Sequence, residues 1–379
     1  MRIAFVTPEY PHPDFEKSGG IGTSIYGLTK ALKELGHTVS VLVYAQKKDA
    51  YFEGQGIHFY TVKNVKIKGL SLILTQKKVE RLINTLYNQG KLELVEAPDW
   101  TGFTAFVKPK CPVVIRENGS DTYFCHLEQR SVKFKNKYLE RRALKQANGI
   151  ISVSKFTGEL TNTVLGLKRD FEVIPNAVDA TQFMPVLKKA SEPVILYFGT
   201  LIRKKGLLEL PDIFNKVVEA NPKAKLVLAG HDSADIQTGT DSTWALMQPL
   251  FTLKALAQVS YLGVVKYEKI QELIAEAAVC VFPSFAEAFP LSWLEAMAME
   301  KAIVASNVGW AKEMINDAKE GFLVHPKAHD SYAYRILELL NNQQKRDDFG
   351  KAARKRVIKD FSHIEIARKS VEFYKQFIK

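Results

Sequence analysis

Short apolar runs alternate with amphipathic stretches along the whole chain. In the first half RIAFVT, TVSVLVY, GIHFYTV, LELVEA, CPVVIRE, GIISVS and FEVIPN read as strands. Between them Thr23–Leu35, Lys77–Tyr87, Lys137–Gln146 and Thr157–Val164 repeat their apolar positions with helical period. Strands alternating with helices predict a parallel, doubly wound α/β sheet. The pattern then lapses into VDATQFMPVLKKASEP, polar and holding two prolines, and restarts. PVILYFGT, AKLVLAG, VSYLGVV, AVCVFPS, KAIVASN and GFLVHP supply a second set of strands, with a helix over Leu207–Ala220. Two Rossmann-like domains are therefore expected, 1–187 and 188–379, with a linker near 184–192. From about Asp330 onward the chain is charged and helical in period, and its last helix, about 360–379, is a candidate to cross back to the first domain. HDSADIQTGTDSTW, after Gly230, reads as a surface loop at a strand end.

Length and composition fit this division. A chain of 379 residues, 46% hydrophobic and 25% charged, is too long for one core and suits two α/β domains. No apolar run reaches the length of a membrane span, and MRIAFVTPEY reads as a strand rather than a targeting leader. Cys111, Cys125 and Cys280 have neither disulfide nor zinc spacing, so a cytoplasmic setting is the simplest expectation. The net charge is +12, and residues 1–190 carry most of it, with 28 Lys+Arg against 18 Asp+Glu. Such a half could meet anionic headgroups at the inner membrane face or a phosphorylated acceptor; a solvated lysine-rich face is the plainer alternative. No motif points to nucleic acid.

Two sheets of this kind leave a cleft between the C-terminal ends of their strands, where α/β domains bind ligands. The densest local chemistry is VCVFPSFAEAFPLSWLEAMAMEKAIVAS, residues 279–306. A buried strand ends near Phe282, a loop carries Glu287, and a helix from about Leu291 carries Glu295. As an isolated pair these glutamates read first as a loop charge and a helix-surface residue. At a strand's C-terminal edge they can instead accept hydrogen bonds from sugar hydroxyls, while the helix N-terminus favours a phosphate.

The stretch PSFAEAFPLSWLEAMAMEKAIVAS resembles the hallmark of the family-four retaining glycosyltransferases of the GT-B fold, whose two glutamates are separated by seven residues. GTLIRKKGLLEL (199–210) resembles the family's diphosphate-binding loop and helix, and VIPNAVDATQF (173–183) the segment that closes its N-terminal domain. GGIGTSIYGLTKALKELGHTVSVLV (19–43) resembles its glycine loop, first helix and second strand. The resemblance covers nearly the whole chain and implies two domains facing a central cleft. It implies that Glu295 holds the nucleotide ribose, Glu287 the transferred sugar and Lys205 the diphosphate. Gly199, Phe289 and Leu291 belong to the same donor loops. Gly19 and Gly20 would let backbone amides approach a phosphate or the acceptor, although a turn before a helix also explains them.

Three positions depart from the family pattern. Thr200 follows Gly199 where arginine is usual, and Arg203 could bring the second cation from elsewhere in that loop. Asn118–Gly119 replaces a histidine–glycine pair; asparagine hydrogen-bonds but does not titrate. Pro290 stands where glycine is frequent and removes one N–H. The chain has no Asp-x-Asp string and no paired histidine spacing, so no metal and no cofactor beyond the nucleotide-diphosphate sugar co-substrate are expected. The resemblance thus implies a metal-independent, retaining hexosyltransferase. UDP is the first expected base, and a glycan or lipid-linked acceptor of cell-surface polysaccharide synthesis is the expected partner. Candidate acceptor contacts are Asp99, Arg116, Asn118, Ser120 and His126. A GT-B epimerase, or a catalytically silent homologue bound to a partner or membrane, are the alternatives; the chain is short for a phosphorylase.

Overall fold

The computed structural model describes residues 1–15, 18–186 and 192–378. The chain divides into two units, Met1–Ala177 with Ser362–Lys379, and Val178–Phe361. The division falls at Ala177/Val178, ahead of the expected 187/188, which lies outside the described residues. Its cause is local. The Val178 N–H donates to the Phe361 carbonyl at 3.0 Å, and the Phe183 ring meets Tyr267 edge-on at 5.5 Å. VDATQF is thereby part of the second unit rather than the closing segment of the first.

The first unit is built on eight strands: β1 (Arg2–Thr7), β2 (Thr38–Gln46), β3 (Ala50–Gly54), β4 (Ile57–Lys63), β5 (Leu94–Pro98), β6 (Val113–Glu117), β7 (Gly149–Ser152) and β8 (Glu172–Val173). Their order is β3-β4-β2-β1-β5-β6-β7-β8, parallel except for the β3–β4 pair. Strand β3 was not expected from the sequence. It pairs with β4 through Gln55 and Gly56, both at positive φ (53° and 71°), the geometry of a tight hairpin turn. Its alternately exposed pattern at a sheet edge gives no continuous apolar run to read.

Side chains of the central strands alternate between two helical layers. Ile3, Phe5, Val39, Val41 and Val43 face the helices Gly20–Glu34 and His363–Lys375, while Ala4, Val6, Leu42 and Tyr44 face the helix Ser71–Asn88. The first helix buries Ile25, Leu28, Ala31 and Leu32, one stripe of its 3.6-residue period. The C-terminal helix adds Ile366, Ala367, Val371, Phe373 and Tyr374 to the same core.

That helix is also tied by charge. The buried Arg116 guanidinium donates to both oxygens of Glu96, at 2.8 and 3.2 Å, to the Ile174 carbonyl and to Ser370 Oγ at 3.0 Å; the Tyr374 hydroxyl donates to the same Glu96. Removing one member of such a pair strands the other in a low-dielectric core.

The second unit carries β9 (Val194–Phe198), β10 (Lys225–Ala229), β11 (Val259–Tyr261), β12 (Val279–Phe282), β13 (Ile303–Ser306) and β14 (Phe322–Val324). All are parallel, in the order β11-β10-β9-β12-β13-β14. This is the doubly wound order of a dinucleotide-binding sheet, with its reversal between β9 and β12. The helix Leu210–Ala220 buries Leu210, Ile213, Phe214, Val217 and Val218, and Trp293, Trp310 and Tyr332 are wholly enclosed.

Arg116→Ala should lower the unfolding free energy by about 3–5 kcal/mol, the cost of a stranded buried partner. Denaturant titration followed by tryptophan fluorescence reads it, and an unmoved midpoint would show that the network holds nothing.

Candidate active site

The strand-order reversal of the second unit brings together the loops after β9 and β12. The Lys204 carbonyl accepts the backbone N–H groups of Phe285 and Ala286 at 2.8 and 3.2 Å, which pins one loop on the other. Gly206 makes this approach possible. Its φ is +72°, and a Cβ there would fall 1.8 Å from the Pro283 carbonyl oxygen.

On this frame the Lys205 ammonium lies 3.0 Å from Glu287 Oε1, both side chains mostly buried, and Ser284 Oγ donates to the same oxygen at 3.4 Å. Gly199, at φ +139°, lies beneath this pair: a Cβ on it would stand 3.5 Å from Lys205 Nζ and 3.3 Å from the Tyr197 hydroxyl. That hydroxyl donates to the Thr200 carbonyl at 2.8 Å, so Thr200 contributes backbone to the loop's shape.

Glu295 lies about one turn into the helix Leu291–Ala298 and is buried. Burial pushes its carboxyl up to about 7, against the Tyr267 hydrogen bond and the nearby charge of Lys205. The Tyr267 hydroxyl donates to Glu295 Oε1 at 2.6 Å. Phe289 turns inward against Phe361, ring centroids 5.5 Å apart, and Leu291 is half-buried at the helix start. Pro290 is the residue before that helix and makes no side-chain cap.

Arg203 does not join the lysine. Its guanidinium makes a two-point pair with Asp235, 2.7 and 2.8 Å, and Asp235 also accepts from the backbone and hydroxyl of Thr238. The arginine thus braces the polar loop after β10, and the same contacts hold the Asp235 carboxyl below its ordinary range.

The first unit gathers its candidates along the C-terminal edge of its own sheet. Asp99, just after β5, accepts the Asn118 backbone N–H at 3.0 Å through Oδ1, while its Oδ2 is buried without a partner. Burial raises this carboxyl to about 8, with the Glu140 charge adding to the effect and the Asn118 amide opposing it. Glu117 beside it is driven well above the usual carboxylate range by burial and by Asp99. The Asn118 side-chain carbonyl is likewise buried and unpartnered. Ser120 caps the helix Asp121–Leu127 by accepting from the Tyr123 N–H at 3.3 Å, and His126 is exposed in that helix's last turn. Arg116 points away from this edge, into the Glu96 network.

Gly19 precedes the first helix and Gly20 opens it, with open space where a Gly20 Cβ would be. The anion at this helix N-terminus is the chain's own: Glu9 Oε1 accepts the Gly22 N–H at 2.8 Å. Glu9 and Tyr267 are the site residues that sequence reasoning missed. The acid two residues beyond β1, eleven before a glycine-opened helix, was a usable signal for the first. Among the described residues no three His, Cys, Asp or Glu side chains are arranged to hold a metal ion.

Two nucleotide-type sheets, each with its polar side chains at the C-terminal strand edge, define a GT-B fold. Residues 18–182 match the family model for Glycosyltransferase Family 4 and residues 179–356 that for Glycosyl transferases group 1; the chain belongs to these glycosyltransferases. It is 26% identical to α-maltose-1-phosphate synthase of Mycolicibacterium smegmatis over 99% of both chains. Sucrose-phosphate synthase from Thermosynechococcus elongatus superposes with a TM-score of 0.78 at 22% identity, covering 99% of this chain and 98% of that one. Anabaena HepE, solved with UDP and glucose, superposes at 0.74 with 18% identity over 99% of each.

Asp99 carries a pH signature. Its folded carboxyl titrates near 8 against an ordinary 3.8, so the folded state keeps a proton that the unfolded chain releases. Its contribution is complete below about pH 4 and is lost as pH rises to about 8. Asp99→Asn should flatten the fall in stability across that window. Unfolding curves parallel to wild type throughout it would refute the assignment.

Proposed function

We propose that this chain moves a hexose-type sugar from a nucleotide-diphosphate sugar, UDP foremost, to a glycan or lipid-linked acceptor in cell-surface polysaccharide synthesis. The carrying observation is the Lys205–Glu287 pair, 3.0 Å apart at the strand-order reversal of the second unit. A cation and a carboxylate at that crevice match the two ends of a donor: diphosphate on the lysine, sugar hydroxyls on the glutamate. Glu295 takes the ribose hydroxyls through Oε2, while Tyr267 holds Oε1. The names of the relatives favour hexosyl transfer, and the UDP in the HepE complex favours that base.

In this reading Lys205 and the first turn of the Leu291–Ala298 helix meet the charge that develops on the leaving phosphate, and no metal ion is needed. Arg203, committed to Asp235, shapes the loop instead. The acceptor approaches Asp99, Asn118 and the Ser120 turn. Transfer proceeds on the face from which the diphosphate leaves, its oxygen accepting the acceptor's proton, and the anomeric configuration is retained. Product anomers read by NMR, with EDTA present and absent, address both points: inversion or loss of turnover on chelation would overturn them.

Thermal shifts with UDP-, GDP-, ADP- and dTDP-sugars identify the donor. Ligand at about a hundred times its Kd adds roughly 2.7 kcal/mol, or several degrees for domains of this size. One base class should shift the wild type and shift Glu295→Ala far less. Silence across the panel would favour the catalytically silent alternative. Lys205→Ala should lower kcat roughly 100- to 1,000-fold, as for other preorganised donors to developing charge.

Donor affinity should fall as pH drops through about 7, because the ribose hydroxyls bind the ionised Glu295. Tyr267→Phe removes a hydrogen bond to that ionised form, so the acid limb moves to higher pH. An acid limb that stays in place in Tyr267→Phe would separate the tyrosine from the donor site.

A further inference from the structure

The helix Phe134–Gln146 presents two unlike faces. Its inner face buries Leu139, Ala143 and Leu144 against the sheet. Its outer face carries Phe134, Tyr138, Arg141 and Lys145, spaced by four, three and four residues and so aligned along one side. Phe134 is 84% exposed and Tyr138 48%, their rings stacked 6.5 Å apart in the open. A lone exposed apolar residue is unremarkable; a stacked aromatic pair standing in solvent is not.

Cations surround that pair. Lys133, Lys135 and Lys137 are exposed beside it. An open pocket of about 310 Å³ at the C-terminal half of the helix is lined by Lys108, Tyr138, Arg141, Arg142, Lys145 and Gln146, with no acid among them. Neither Lys108, Arg141 nor Lys145 forms an ion pair among the described residues. The helix's one acid, Glu140, points inward.

Glu140 also joins this helix to the candidate acceptor turn. Its carboxylate accepts the backbone N–H groups of Asp121 and Thr122 at 3.0 and 3.2 Å, and the Thr122 hydroxyl as well. These amides open the short helix that follows Asn118, Gly119 and Ser120. Asn136 adds a bond to the Asp121 carboxylate at 2.9 Å. The exposed basic–aromatic face is thereby fixed, one helix thickness away, to the turn where the acceptor is expected.

We propose that the Phe134–Gln146 helix is a docking face for an anionic lipid bilayer, bringing the first unit to the surface that carries a lipid-linked acceptor. The occupant follows from the chemistry. Exposed rings enter the headgroup region, where amphipathic aromatics settle, and lysines and arginines around them meet lipid phosphates. A folded soluble partner would need complementary acids and a shaped socket for the rings; a bilayer supplies charge and apolar depth together. The acceptor half of this inference rests on the function proposed above, whereas the docking itself does not.

The test is flotation of the full-length protein with vesicles of phosphatidylcholine alone and of phosphatidylcholine mixed with phosphatidylglycerol. Binding should require the anionic lipid and weaken with salt. Arg141→Glu with Lys145→Glu should reduce partitioning by at least roughly 25-fold, about five-fold for each cation lost. Phe134→Ser with Tyr138→Ser should reduce the binding that survives at high salt. Inorganic phosphate at the buffer's ionic strength should not compete; full competition would mean an anion pocket rather than a membrane face and would overturn the proposal. So would equal flotation of the charge-reversed protein, or single-stranded DNA displacing the vesicles through the same residues. Donor thermal shifts on both double variants should match wild type. Loss of the donor response with vesicle binding intact would count against the glycosyl-donor reading alone.

Discussion

Contact between the loops after β9 and β12 is the constraint on which the candidate site of the second unit depends. A parallel sheet of this order opens a crevice where its winding reverses, but a crevice is only space. Here Gly206 lies against the Pro283 carbonyl, and the Lys204 carbonyl takes two amides from across the gap. Only then do Lys205 and Glu287, far apart in the chain, stand within one ion-pair distance. The lysine has a long, mobile stem, and its partner fixes where its charge rests. Among the described residues no such cation is bonded to the buried Glu295. It has a phenol hydroxyl, whose hydrogen bond and the nearby charge of Lys205 only partly offset the burial that lifts its carboxyl to about 7.

Much of this was legible in the sequence because it depends on local pattern. Thirteen strands announced themselves by apolar runs between turn residues, the places of Glu287 and Glu295 followed from a strand–loop–helix reading of one short stretch, and Lys205 was singled out by the family resemblance of another. What could not be read depends on distant partners. Arg203 is two residues from Lys205, yet Asp235, thirty-two residues on, claims it. Arg116 lies near the end of a strand beside the Asn118–Ser120 turn, but Glu96 and residues of the last helix hold it inward. Tyr267 gave no signal at all, since one tyrosine opening a helix is ordinary until the fold places Glu295 beside it. Strand β3 was lost for the opposite reason: its cue, Gln-Gly, is a weaker turn signal than Asn-Gly or Asp-Gly.

The carboxylates of the two units show how burial and partnership set their chemistry. Glu96 is enclosed yet has Arg116 and Tyr374; Asp235 has an arginine and a threonine. Asp99 accepts a backbone amide and Glu117 bonds to the Ser152 hydroxyl, each keeps one buried oxygen without a partner, and burial makes both hold their protons tightly. Protonated carboxyls at a strand edge donate as well as accept, a versatility suited to a polyhydroxylated ligand. The neighbouring Asn118 side chain, which never ionises, keeps that edge from accumulating further charge.

The Arg116–Ser370–Tyr374 contacts also bear on how this protein is made. The first unit precedes the second, but a helix that shares the cover of one side of its sheet is encoded after the whole of Val178–Phe361. During synthesis the usual order is inverted. The unit that starts second holds all its own strands and can close first, while the one that starts first has only the helix Gly20–Glu34 over Ile3, Phe5 and their neighbours until the last helix arrives. Until then part of an apolar sheet face lacks its cover. A last helix that is late or lost leaves bare the part of that face which Ile366, Val371 and Tyr374 cover.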